Sequence, residues 1–223
     1  MPMQVWLEVE RQSRLALLNV ANVVLPWRRS RLRAYAQSRE LRLHIGCGDR
    51  LLAGWVNVDA VPGVDLRQDL RRPLRLADGS CRMIFGHHVL EHLSYPEEAL
   101  GLLRECRRVL AADGWIRIVV PDLEAYARGY CEQQGYPRPR ELSGPTQPLD
   151  LPGEHVSLGL WRWGSHKFAY DAGTLGGLLE LAGFERIERR QFGESVLGPE
   201  LAQDRTEEWY RRESLYMEAT AAA

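Results

Sequence analysis

The chain reads as an α/β sandwich built on a largely parallel sheet, and three observations lead there. From residue 41 onward, short apolar strands alternate with helical segments. The first strand runs directly into Gly46-Cys47-Gly48. The next apolar run, Trp55 to Val58, ends on a carboxylate, Asp59. Strand, glycine turn, second strand and terminal acid form a nucleotide-binding layout: the turn lets a ligand meet the backbone, and the acid holds ribose hydroxyls. Ligands of such sheets sit at the carboxyl ends of the strands, where Gly46, Asp59, Asp69, His87 and His88 are expected to converge.

The 223 residues, 45% of them hydrophobic, suffice for one core of ordinary size with a short appendage. A net charge of −1 gives no global attraction for nucleic acid, and none is expected as a partner. The charge is unevenly spread. Residues 1–40 hold seven Arg and three Glu (+4), which leaves −5 for the remainder, and Lys167 is the only lysine. Cys47, Cys81, Cys106 and Cys131 are widely spaced without a C-x-x-C pair, the pattern of reduced thiols in a cytoplasmic protein. The longest apolar run, Leu15 to Leu25, is interrupted by Asn19 and Asn22 and falls short of the roughly 20 residues a spanning helix needs. Glu8 and Glu10 argue against a secretory signal.

Taken in order, residues 4–25 pattern as an amphipathic helix stopped by Pro26, and Arg28 to Gln37 as a second, Arg-rich helix. Together they form an N-terminal helical arm, 1–40, ahead of a domain over 41–223. Two readings fit the arm: packing on the domain, or weak peripheral contact with an anionic membrane through Arg28, Arg29, Arg31 and Arg33. Leu41, Leu43 and Ile45 alternate with Arg42 and His44, as in a strand. Asp65 and Asp69 flank a third strand or loop. After the Asp78-Gly79 turn, Met83-Ile84-Phe85 is a short buried strand, and Gly86 to Leu93 follows at its carboxyl end. Pro96 to Leu110 is a helix with Glu97 and Glu98 at its positive end and Arg107 and Arg108 at its negative end. Asp113-Gly114 is expected to close it. Trp115 to Val120 is an apolar strand broken only by Arg117 and terminated by Pro121.

Residues 123–170 change character, with Pro137, Pro139, Pro145, Pro148 and Pro152 among the aromatics Tyr126, Tyr130, Tyr136, Trp161 and Trp163. The stretch is too long for a passive connection and is read as a substrate or lid insertion. Its aromatics suit either stacking on a sugar or ring, or a minor core. Thr174 to Ala182 is a helix ended by Gly183, Phe184 to Arg189 a strand, and Glu213 to Ala219 a last strand.

The segments LHIGCG (43–48), Asp59, DLRRPL (69–74), HHVLEHL (87–93), LLRECRRVLAADGWIRIVVPD (102–122), FAYDAGTLGGLLELAGF (168–184) and ESLYMEA (213–219) resemble, in order and spacing, those of class I S-adenosylmethionine-dependent methyltransferases. The resemblance implies a Rossmann-like, seven-stranded, mostly parallel sheet with an antiparallel last strand and helices on both faces. It also implies bound S-adenosylmethionine. On this pattern Gly46, Cys47 and Gly48 meet the methionine and ribose part, and Asp59 accepts both ribose hydroxyls. Asp69 and Leu70 lie by the adenine amino group, and His44 and His87 complete the cofactor-binding set. The chain departs from the usual pattern with His44 in place of an acid and Arg50 in place of a third glycine. Only ten residues separate Gly48 from Asp59, too few for a full first helix. These departures resemble the subgroup with LHLGCG-type motifs and a shortened first crossover, whose members often accompany glycan or natural-product pathways.

Methyl transfer needs alignment of nucleophile, methyl and sulfur, and a hydroxyl acceptor gains from a base within reach. His88, His92 and His166 are the candidate catalytic residues, with His155 a further imidazole; each also fits a purely structural role. His88-x-x-Glu91-His92 spells the inverted zincin motif, but that chemistry needs a long helix, which Pro96 precludes. The same positions resemble the E-x-x-E-H motif by which some O-methyltransferases bind a divalent cation. A divalent metal is therefore compatible, although no metal ligand is assigned. The expected function is O-methylation of a small-molecule or glycan acceptor: a sugar, glycan precursor or secondary metabolite. The alternative is a non-catalytic S-adenosylmethionine-binding or interaction module, and a homo-oligomer is compatible with either.

Overall fold

The computed structural model describes Tyr35 and residues 38–133, 151–196, 198 and 203–221. Apart from Tyr35, the helices expected over 4–25 and 28–37 lie outside the described residues, as does the proline-rich stretch 134–150.

Seven strands form one sheet: β1 (Leu41–Ile45), β2 (Val56–Asp59), β3 (Leu66–Arg67), β4 (Cys81–His87), β5 (Leu110–Pro121), β6 (Phe184–Arg190) and β7 (Ser214–Ala221). Their order is β3-β2-β1-β4-β5-β7-β6. Every pairing from β3 through β5 is parallel, and β7 runs antiparallel to both β5 and β6. The helices are α1 (Glu97–Val109), α2 (Leu123–Glu132), α3 (Pro152–Trp161), α4 (Ala172–Leu181) and α5 (Glu208–Glu213). The strand alternation expected around residue 43 holds, with Leu43 and Ile45 fully buried on the face covered by α1 and α4. On the opposite face Leu52, Trp55, Phe85, Val119 and Tyr216 form a second cluster, packed under the short crossover and Phe192.

Two expectations are corrected. The helix before β5 ends at Val109, not at Asp113-Gly114, because the chain is already extended at Leu110. Cys81 pairs with Leu110 but Met83 with Trp115, so residues 111–114 bulge out of the ladder. The Asp113-Gly114 turn therefore lies inside the irregular start of β5. Second, the insertion is not simply a loop, since α2 and α3 occupy much of it and pack on each other. Asp122 caps α2, its Oδ1 accepting from Glu124 N at 2.9 Å. Gly159 of α3 lies so close to α2 that a Cβ there would stand 2.2 Å from the Tyr126 ring. Tyr126 is fully buried and its hydroxyl donates to Glu213 at 2.6 Å, so this aromatic is core, whereas Tyr130 and Trp161 are exposed.

Arg117, the one interruption of the β5 apolar run, is buried among acids. It donates to both Asp204 oxygens at 2.9 and 2.6 Å, to Glu218 at 2.9 Å and to the Glu194 carbonyl at 2.8 Å. A charge is tolerated mid-strand because each of these hydrogen bonds replaces one to water. The consequence is structural: Gln191, Glu194 and Asp204 are tied to β5.

Candidate active site

The glycine turn closes the carboxyl end of β1. Gly46 and Gly48 have φ of +63° and +56°, the left-handed region where a side chain is strained. A Cβ on Gly46 would stand 2.4 Å from Val89, so glycine here lets the turn lie directly against the HHVLEHL segment. A Cβ on Gly48 would meet nothing within 4 Å, so the turn is open on that side. Asp59 ends β2 with Oδ2 accepting from Gly48 N at 2.9 Å and Oδ1 from Ala60 N at 2.6 Å. One carboxylate thus fixes the glycine turn while remaining only partly buried. An open, backbone-lined turn with an acid beside it is the arrangement at which α/β sheets take nucleotides. Cys47 is buried beside it, its thiol pushed up to about 12 by burial and then by Asp59, so it stays protonated.

Asp69 and Leu70 follow β3. Burial raises the Asp69 carboxyl, but hydrogen bonds from the Arg71 guanidinium and backbone outweigh it and hold the group below its ordinary value. Both Asp69 oxygens are engaged by Arg71 at 3.0 Å. His44 points into the second cluster, where Nδ1 lies 3.1 Å from Asn57 Oδ1 and the ring stacks on Phe85. Burial lowers its pKa to about 4, so the imidazole is neutral at pH 7.

Sequence reasoning missed Asn57. Its Nδ2 donates to Leu52 O and Trp55 O, both at 3.2 Å, and to Asp65 at 2.8 Å, while Oδ1 accepts from Leu52 N at 2.8 Å. These bonds hold the short crossover in a fixed loop. An asparagine at the centre of an otherwise apolar strand was the available signal.

At the end of β4 the chain turns sharply. His87 is buried between His88 and Tyr210, with ring centroids 4.6 and 4.9 Å away. His88 has φ of +53°, a strained conformation for a residue with a Cβ. It is held there by its N–H donating to Val119 O at 2.8 Å and by Nε2 lying 2.9 Å from Ser214 Oγ. A 3-10 turn, Leu90–His92, follows and carries Glu91 into the interior. The Glu91 backbone carbonyl accepts from Lys167 N at 2.7 Å, which brings His166 alongside from 75 residues away.

Glu91, His92 and His166 each aim a donor atom into one space, all within 4.8 Å of one another. His92 Nδ1 lies 3.0 Å from the Ser165 carbonyl, which fixes the proton on Nδ1 and the lone pair on Nε2. Both Glu91 oxygens, both His166 nitrogens and His88 Nδ1 are buried without a hydrogen-bond partner among the described residues. Burial pushes Glu91 up to about 8, and burial followed by neighbouring His92 and Arg162 lowers His166 to about 4. The approaches of His88 and His166 to Glu91, 3.8 and 3.9 Å, are therefore between neutral groups at pH 7 and are not ion pairs. His155 is buried in α3 and is not part of this group.

A parallel sheet with a glycine turn and an acid at its carboxyl edge is the layout of an α/β nucleotide-binding fold. Residues 43–118 match the family model described as "Methyltransferase domain". That match covers about a third of the chain, and over it the chain is similar to a methyltransferase domain. Among solved structures it is similar to an S-adenosylmethionine-dependent methyltransferase of Thermotoga maritima, at 16% identity and TM-score 0.51, covering 98% of this chain and 94% of that one. A methyltransferase of Archaeoglobus fulgidus aligns over 99% and 100% of the two chains at 16% identity and TM-score 0.49. A search of curated proteins finds no match. No helix among the described residues is long and apolar enough to cross a membrane.

Proposed function

We propose that the chain methylates a hydroxyl of a small acceptor: a sugar, glycan precursor or secondary metabolite. The observation that carries this reading is the contact between two corners. Val89, at the Gly46 turn, is two residues from Glu91, whose carboxyl shares a buried space with His92 and His166. Proton-handling groups thus stand next to the cofactor turn, as an alcohol acceptor requires.

In this reading Gly46, Cys47 and Gly48 admit the cofactor to the backbone and Asp59 accepts its ribose hydroxyls. Leu70 packs by the adenine and Asp69, oriented by Arg71, faces its amino group. His44 supports the turn from beneath through Asn57, and His87 walls the site together with Tyr210. Bound cofactor supplies a methyl group on a sulfonium. His166, a neutral imidazole at pH 7, takes the acceptor's proton, while His88 and His92 orient the acceptor oxygen. Calorimetric titration with S-adenosylmethionine tests the cofactor end. Asp59→Ala is expected to weaken binding about 10- to 100-fold, the worth of a charge-assisted pair of contacts. Unchanged binding would refute the assignment, and no heat from the parent chain would favour a non-catalytic module.

One observation favours a second reading for the same corner, cation assistance. A buried carboxyl without a partner, flanked by imidazoles, is a donor set suited to a borderline divalent ion, which would lower the pKa of the acceptor hydroxyl. Glu91, His92 and His166 would hold it. Methyl transfer from labelled cofactor that survives exhaustive chelation would leave His166 as the base.

A further inference from the structure

Away from the glycine turn, beside the start of β7, a cleft of about 380 Å³ opens between α2, the end of β6 and α5. We propose that this cleft is an anion subsite that takes a phosphoryl group. Its cationic lining is entirely guanidinium: Arg128 from α2, Arg189 and Arg190 from the end of β6, and Arg211 and Arg212 from α5. Three acids, Asp122, Glu124 and Glu132, also line it.

Arg190 has an acid outside the lining in Glu188 and Arg212 one in Glu208, at 3.0 Å, while the remaining acids are shared. Glu124 serves both Arg128 and Arg189. Asp122 gives one oxygen to the α2 cap and only the other to Arg189, at 2.8 Å. Glu218 is shared between Arg117 and Arg190. Arg190 Nε is buried without a hydrogen bond, its nearest Glu218 oxygen standing 3.4 Å away. The Arg211 guanidinium lies over the Phe192 ring at 5.5 Å, and no carboxylate among the described residues pairs with it. Among the described residues the Arg211 charge and the Arg190 Nε donor are left without a bonded anion, which a ligand in the hollow would supply. Tetrahedral phosphoryl oxygens accept from several guanidinium forks at once, which a single planar carboxylate does not. Phe192 and Tyr216 add aromatic surface for the body of a ligand. The cleft also meets the proposed methyl-transfer corner, because Ser214 lines it and its hydroxyl is 2.9 Å from His88 Nε2.

The test is calorimetry on the full chain with pyrophosphate, inorganic phosphate and glucose 1-phosphate, run beside a separate titration with S-adenosylmethionine. The parent is expected to bind pyrophosphate at one site. An Arg128→Ala/Arg211→Ala double variant is expected to bind at least tenfold more weakly, and Arg82→Ala, elsewhere on the surface, as tightly as the parent. Both replaced side chains are exposed, and an unchanged unfolding midpoint and unchanged cofactor binding establish that the variant is folded. Tighter binding of glucose 1-phosphate than of inorganic phosphate marks the phosphoryl group of an organic ligand; equal binding marks the free ion. No heat from any phosphate probe at millimolar concentration, or equal weakening by Arg82→Ala, overturns the proposal. Cofactor binding is read independently, so loss of the anion site and loss of the methyltransferase reading are distinguishable.

Discussion

At one corner of the sheet five hydrogen bonds converge on the Asn57 side chain, from His44, Leu52, Trp55 and Asp65. At the neighbouring corner, Glu91 is fully buried and neither of its oxygens finds a partner among the described residues. Both corners bury polar atoms, yet only the first is compensated. Folding alone explains the Asn57 corner, because its bonds replace the helix that the short crossover lacks. It does not explain the Glu91 corner, where an apolar side chain would cost less. Uncompensated burial near the glycine turn is the feature on which the proposed proton or cation role of this corner rests.

This contrast can be broken by replacement at each corner. Asn57→Ala strands the Leu52 and Trp55 backbone groups together with His44, and is expected to cost about 3–5 kcal/mol in urea denaturation. A loss below about 1 kcal/mol would mean that the crossover is held by something else. Glu91→Met acts in the opposite direction: removing an unpaired buried carboxyl is expected to raise stability by about 1–3 kcal/mol while methyl transfer falls sharply. Destabilisation instead would show that Glu91 is structurally satisfied. The smallest effect concerns pH. Burial, aided by Arg50 and Arg205 against the Asn57 bond and Asp59, lowers His44 from 6.5 to about 4. The unfolded chain therefore binds the extra proton first, so this contribution is complete above pH 6.5 and is lost as pH falls towards 4. Between pH 7 and pH 5 the parent is expected to lose about 1–2 kcal/mol more stability than His44→Gln. Parallel losses in the two proteins would contradict a neutral buried His44.

Much of this architecture was legible from local pattern. The alternation around Leu43, the glycine turn, the apolar β5 with its single arginine and the final strand each declare themselves within a few residues. The compensated corner was not legible. Asn57 acts on residues 2, 5, 8 and 13 positions away, and nothing in its immediate neighbours announces that role. Tyr126 was obscured by composition, since the prolines downstream made a loop of a stretch whose first ten residues, Leu123–Glu132, form a capped helix. His92 was visible as part of a motif and His166 as the end of an insertion. Their juxtaposition depends on a tertiary hydrogen bond that no periodicity reveals.

That hydrogen bond, from Lys167 N to the Glu91 carbonyl, uses only main-chain atoms. Any residue except proline can stand at position 167 and keep it. The insertion between α2 and His166 is thereby moored at its returning end independently of its own sequence. Such an anchorage sets where His166 returns beside Glu91 whatever side chain, proline apart, stands at position 167.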